Sequence, residues 1–105
     1  MDFEGRKIEA SNLPEVDSFD KSKIESALIL SFDKLQKITN NELLLHAHFK
    51  QHETDGAKTK HSVHLKLTIP GRTFVASETG WVLVSVLQKA LNVLERETVE
   101  SVKRR

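Results

Sequence analysis

Cysteine is absent from the chain. That excludes disulfides, thiolate metal ligands and a cysteine nucleophile, and it fits a cytoplasmic location. A strong charge bias is also missing. The formal net charge is only +1, so no whole-protein field draws in nucleic acid, and any such role must rest on local segregation of charge. No apolar run approaches the ~20 residues that span a bilayer, so no membrane partner is expected. The start, Met1-Asp2-Phe3-Glu4, is acidic and lacks an apolar segment, and it reads as having no signal peptide. There is no P-loop, no G-x-G-x-x-G and no G-x-S-x-G. Serine, histidine and aspartate are all present, but no spacing selects a triad. The chain therefore reads as a non-enzyme without a cofactor.

What remains is a globular sequence of 105 residues, read as a single domain over residues 1–105. Such a length buries roughly 65% of the unfolded chain's surface, enough for one core. "FEGRKIEA", Phe3 to Ala10, predicts a weak strand with a glycine interruption. "SNLPEVDSFD", Ser11 to Asp20, reads as a loop around Pro14. A helix then opens at Asp20 or Ser22, where Ser22-x-x-Glu25 matches a capping box. Its apolar stripe is Ile24, Ala27, Leu28, Leu35 and Ile38, with Phe32 at the edge. Asn40-Asn41 ends it, because asparagine tolerates the left-handed conformation.

Strict alternation follows. Leu43, Leu45, Ala47 and Phe49 point one way, and Leu44, His46, His48 and Lys50 the other. Asp55-Gly56 signals a hairpin. Alternation resumes with Val63, Leu65, Leu67 and Ile69 inward and Ser62, His64, Lys66 and Thr68 outward. Pro70-Gly71 marks a second turn, and "RTFVAS", Arg72 to Ser77, a further strand. Ser77 or Thr79 is expected to cap a last helix with the stripe Leu83, Leu87, Ala90 and Leu94, flanked by Val86 and Leu91. The tail Lys103-Arg104-Arg105 is expected to fray.

All five histidines fall within "LLLHAHFKQH", Leu43 to His52, and "HSVHLKL", His61 to Leu67. His46, His48 and His64 share the face opposite the leucines, and His48 lies near His64 if the hairpin centres on Gly56. Zinc needs three or four converging ligands. Here lysines interleave the histidines and no carboxylate or cysteine stands beside them. A solvated sheet face, weakly electropositive at low pH, is the better reading, with no metal site.

Steps of about 100° per residue place Lys23, Lys34 and Lys37 on one flank of the first helix. Lys89, Arg96 and Lys103, spaced by seven, stay near one line on the last helix. Such ridges suit phosphate contact, which depends on position more than on base identity. Ordinary solvation of helix surfaces explains the same pattern. No aromatic residue alternates with lysine on the exposed sheet face, which argues against stacking of single-stranded bases.

The last third, "LTIPGRTFVASETGWVLVSVLQKALNVLERE", resembles the C-terminal portion of the hibernation-promoting factor family, also called ribosome-associated inhibitor or protein Y. The resemblance rests on Pro70-Gly71, on Phe74 with Ala76-Ser77, and on Leu94-Glu95-Arg96. "FDKLQKI", Phe32 to Ile38, is similar to the end of the family's first helix, and "FEGRKIEA" to its opening strand. The match is that of a divergent member. It implies an α+β fold in the order β-α-β-β-β-α, a four-stranded, mostly antiparallel sheet with two helices on one face, akin to double-stranded-RNA-binding domains. It also implies binding to the small ribosomal subunit or structured rRNA, with hibernation of idle ribosomes. By matched position it implies rRNA contact by Lys34, Lys89 and Arg96. Lys37 and Lys103 join them by helical geometry alone. The alternative is a protein-interaction module or homodimer using the apolar patch Trp81, Val82 and Val84, unless that patch is buried against the start of the chain.

The histidine reading has a direct test. Calorimetric titration with zinc or nickel should show no stoichiometric submicromolar site. A tight site that disappears in the His48→Ala/His64→Ala variant would establish a built metal centre instead.

Overall fold

A computed structural model describes residues 1–52, 56 and 58–103. The elements are β1 (Ile8–Ser11), α1 (Ser18–Thr39), β2 (Leu44–His52), β3 (Lys60–Ile69), β4 (Arg72–Gly80) and α2 (Leu83–Lys103). The strands form one sheet in the order β1-β2-β3-β4. β1 and β2 run parallel, and the other neighbours are antiparallel. A parallel pair needs a long crossover, and α1 is that crossover. The expected α+β arrangement is thus present, with one parallel pair in the sheet.

The alternation works as read. Leu43, Leu45, Ala47 and Phe49 are buried on β2 and its approach, and Val63, Leu65, Leu67 and Ile69 on β3. Above them lie Ile24, Leu28, Phe32 and Leu35 of α1 and Leu83, Val86, Leu87, Ala90, Leu91 and Leu94 of α2, all in one apolar cluster. Ala27 and Ile38 are only partly buried. A fully buried leucine, valine or phenylalanine contributes roughly 1.5–3 kcal/mol, so this layer dominates the stability. Both helices lie on the same side and run in the same direction: the early residues Phe19, Ser22 and Lys23 of α1 line one hollow with Val84 and Gln88 of α2, and the later Ser31 and Lys34 bond Glu95.

Element ends differ from expectation in three places. β1 begins at Ile8 rather than Phe3, because Glu4 and Gly5 take positive φ values of 55° and 81° and turn the chain before it. Helix α1 starts two to four residues early, at Ser18. Asp17 is its N-cap, with an extended backbone and a side chain that accepts the amide of Asp20 at 2.7 Å. Ser22 and Glu25 therefore sit inside the helix, where their amides already have partners. Ser77 and Thr79 cap nothing. β4 continues to Gly80, with Ser77 opposite His64 and Thr79 opposite Ser62. Helix α2 opens only at Leu83, and its first turn closes from the Val86 amide to the Val82 carbonyl at 2.9 Å. A continuous ladder to β3 satisfies the backbone of Ser77 to Gly80, which outweighs the local preference of serine and threonine for caps.

Two turn residues behave as their chemistry requires. Asn40 is the C-cap of α1 in the left-handed conformation, φ 52° and ψ 40°. Gly71 has φ 80° in the two-residue link between β3 and β4. Gly56 also has positive φ, 83°. Asp55, its partner in the hairpin signal, lies outside the described residues, as do Arg104 and Arg105 of the tail.

Truncation separates the two faces. Leu45→Ala removes a fully buried side chain and should cost ~2–5 kcal/mol in denaturant unfolding. His46→Thr, on the opposite face, should cost no more than ~1 kcal/mol. Equal losses would show that the polar face holds β1 to β2 as strongly as the core does.

Candidate nucleic-acid interface

Helix α1 turns its Lys34 flank toward α2. There the Lys34 ammonium meets Glu95 Oε1 at 3.0 Å, and the Ser31 hydroxyl donates to Glu95 Oε2 at 2.7 Å. Glu95 is 13% exposed and Lys34 66%, so the carboxylate is sunk in the seam while the lysine reaches out of it. Along α2 itself Glu95 stands off the Lys89–Arg96 line. The reading of the single helix could not show that the neighbouring helix brings Lys34 to it.

Lys37, Lys89, Arg96 and Lys103 are all exposed. The buried stripe of α2 centres on Leu87, Ala90 and Leu94. Steps of about 100° then put Lys89, Arg96 and Lys103 on the outward side, with a slow drift from one to the next. None of Lys89, Arg96 and Lys103 is ion-paired among the described residues. The five predicted cations thus lie on the surface of the helix layer, with Lys34 at the seam.

Asp33 adjoins Lys34 in sequence and would dilute the basic flank of α1. It is held instead by Arg6, whose Nε and Nη2 donate to the two carboxylate oxygens at 2.7 and 2.8 Å. Arg6 also donates to Glu4 at 3.2 Å. This two-pronged bond to Arg6 pulls the Asp33 carboxyl below the ordinary carboxylate range, and the same bond raises the Arg6 guanidinium. Arg6 is a link that sequence reading missed. It lies in the turn before β1, and only the fold brings it to α1.

The open face of the sheet is organised rather than merely solvated. Ser11 bridges His46 Nε2 at 3.0 Å and His48 Nδ1 at 2.8 Å. Ser77 bonds His64 Nδ1 at 2.8 Å, and Ser62 lies between His52 at 2.8 Å and Thr79 at 2.9 Å. The His48 and His64 rings face each other with centroids 6.4 Å apart. Ser62 and Ser77 have the same outward parity as the histidines, which was the signal available in the sequence, whereas Ser11 read as part of a loop. Among the described residues no group of three metal-ligating side chains converges.

The patch at the start of α2 is not buried against the beginning of the chain. Trp81 is 53% and Val82 62% exposed, and the Lys60 ammonium lies 5.8 Å from the centre of the Trp81 ring. Only Val84 of the three packs on the core. Trp81 lies in the two-residue link between β4 and α2, beyond the last paired residue of β4.

No protein-family model matches this chain, and no curated protein matches it. Solved structures do. The N-terminal domain of protein Y from Thermus thermophilus superposes with a TM-score of 0.65 at 17% identity, over 90% of this chain and 93% of that one. The chain has the protein Y fold. A ribosomal subunit interface protein from Coxiella burnetii superposes with a TM-score of 0.56 at 16% identity, over 94% of this chain and 97% of the other. At such identities the likeness is one of fold. No described helix is long and apolar enough to cross a membrane.

The Arg6–Asp33 link predicts a pH dependence. A depressed carboxyl stabilises the folded state above the ordinary aspartate pKa, and that stability is lost as pH falls through the lower folded value. Asp33→Asn should therefore lower Tm at neutral pH, and the gap from the parent should close below about pH 4. A gap that stays constant down to acid pH would mean that the carboxylate charge contributes nothing.

Proposed function

We propose that the protein binds structured rRNA on the small ribosomal subunit, without catalysis, and holds idle ribosomes inactive in the cytoplasm. The observation that carries this reading is the likeness in fold to two ribosome-linked types of protein, over at least nine-tenths of this chain. The helix layer supplies the chemistry. Lys34, Lys37, Lys89, Arg96 and Lys103 present cations to a phosphate backbone from two parallel ridges. The near-zero net charge makes the segregation of these residues, rather than the bulk field, the source of attraction.

Glu95 tunes the site. It engages Lys34 at the seam, so phosphate must compete with a carboxylate for that ammonium. The remaining cations face water and bind phosphate at little cost in broken contacts.

The exposed Trp81 and Val82 support a second reading, a protein partner or homodimer docking on this patch. An apolar interface responds weakly to salt, whereas phosphate contacts respond steeply.

Co-sedimentation with purified small subunits at several salt concentrations tests both readings. Four phosphate contacts give a slope of log affinity against log salt of about −3 to −4. Reversing Lys34, Lys37, Lys89 and Arg96 to glutamate should abolish binding with the fold retained. Reversing Lys50 and Lys66 on the open sheet face should leave it intact at neutral pH. Glu95→Gln should leave it equal or tighter. Loss in the sheet variant alone would place the RNA on the sheet. Salt-insensitive binding lost on Trp81→Ala would favour the protein-partner reading.

A further inference from the structure

The open sheet face collects most of the groups able to change charge near neutrality. Histidine is the side chain whose ordinary titration falls between about pH 5 and 8. Of five histidines, His46, His48, His52 and His64 share the outward parity of β2 and β3. His61 points to the covered side. Its Nδ1 is buried without a partner among the described residues, and burial pushes its pKa down, which disfavours the charged form there. Acidification therefore adds positive charge to one face of the molecule, the face opposite the helices.

The neighbours on that face favour an anion. His46 stands between Glu9 of β1 and Lys66 of β3, and His48 between Ser11 and His64. His64 is flanked by His48 and Ser77. Lys50 faces Ser62, and Val75 faces Lys66. Glu9 is the one acidic side chain with outward parity among the described strand residues. His52 lies at the hairpin end, with its Nε2 on the buried Ser62, outside the central cluster.

The serine web permits protonation without breaking the sheet. A hydroxyl has one proton and two lone pairs. When both imidazoles beside Ser11 are neutral, the hydroxyl donates to one and accepts from the other. When both are protonated, it accepts from both. Ser77 likewise changes from donor or acceptor to acceptor only. In each state the hydrogen bonds persist. His46 Nδ1, His48 Nε2 and His64 Nε2 make no hydrogen bond to any described residue, so on protonation each gains a free N–H donor.

We propose that this face is a second phosphate-binding surface, on which His46, His48 and His64, with Lys50 and Lys66, grip the backbone of double-stranded RNA when the imidazoles are protonated. The surface lacks Phe, Tyr and Trp, and its imidazoles are held edge-on by Ser11 and Ser77, which favours contact with a duplex backbone over stacking of single-stranded bases. It acts independently of the helix layer, so either surface can fail without the other.

Fluorescence anisotropy with a labelled blunt-ended RNA duplex, at about pH 7.5 and about pH 5.5, tests the proposal. The proteins compared are the wild type, the helix variant with Lys34, Lys37, Lys89 and Arg96 reversed, and a His46→Gln/His48→Gln/His64→Gln variant. Glutamine retains a donor and an acceptor for the serines. In the wild type, three new phosphate contacts should steepen the log–log salt slope on acidification by about 2 to 3. The helix variant should keep this acid-dependent gain, and the glutamine variant should lose it while binding as the wild type does at the higher pH. An equal gain in the glutamine variant, or no gain in the wild type, would overturn the proposal. Proton NMR of the wild type gives a readout that needs no variant: adding duplex should move the protonation midpoints of His48 and His64 upward. Midpoints that do not move would also overturn it.

Discussion

Burial of the leucine-rich face of the sheet beneath α1 and α2 is the interaction on which the other features depend. Leu45, Phe49, Val63 and Leu67 are shut away from water there, together with Leu28, Leu35, Leu87 and Leu94. Period-2 alternation means that burying one set of side chains necessarily displays the other. His46, His48, His64, Lys50 and Lys66 are on the open face because the leucines are not. A slip of one residue in the pairing of β2 with β3 would carry every leucine to solvent, so the register that defines the core also defines the polar surface.

The same burial sets the outer surface of the helices. Both helices commit their apolar stripe to the sheet and part of one flank to each other, so their cations are left on the outside and along the seam. At the seam Glu95 is held by Ser31 and Lys34. Arg6 takes up the charge of Asp33, one residue before Lys34. The Arg6 link offsets the negative charge of Asp33, whereas the Glu95 link offsets the positive charge of Lys34, and together they tie the helix to α2 and to the chain before β1. A nearly neutral protein thereby carries exposed lysines and an arginine on its helices, and His48, His64, Lys50 and Lys66 on the open face of its sheet.

Much of this was legible in the residues. Leu43 to Lys50 and Ser62 to Ile69 assign themselves to faces, because alternation needs no knowledge of partners. Asn40 and Gly71 mark their turns through conformations that few other residues tolerate. Helix starts were less legible, since Asp17, Asp20 and Ser22 all carry a capping oxygen, and Ser77 and Thr79 carry one inside a strand. Which of them caps depends on where the sheet ends. Trp81 was also ambiguous, because an indole suits a core as well as a surface.

The sequence by itself determined the order and type of the elements, the inward and outward sets of each strand, and the cations along each helix. These follow from local periodicity, which is carried by the chain wherever it folds. Only the tertiary structure decided that Lys34 shares a carboxylate with Ser31, that Arg6 holds Asp33, that Trp81 stays in water, and that Ser11 joins His46 to His48. Each of these unites residues from segments separated along the chain, and their distances are set by how the parallel β1–β2 pair and the two helices stack. No local pattern carries that information.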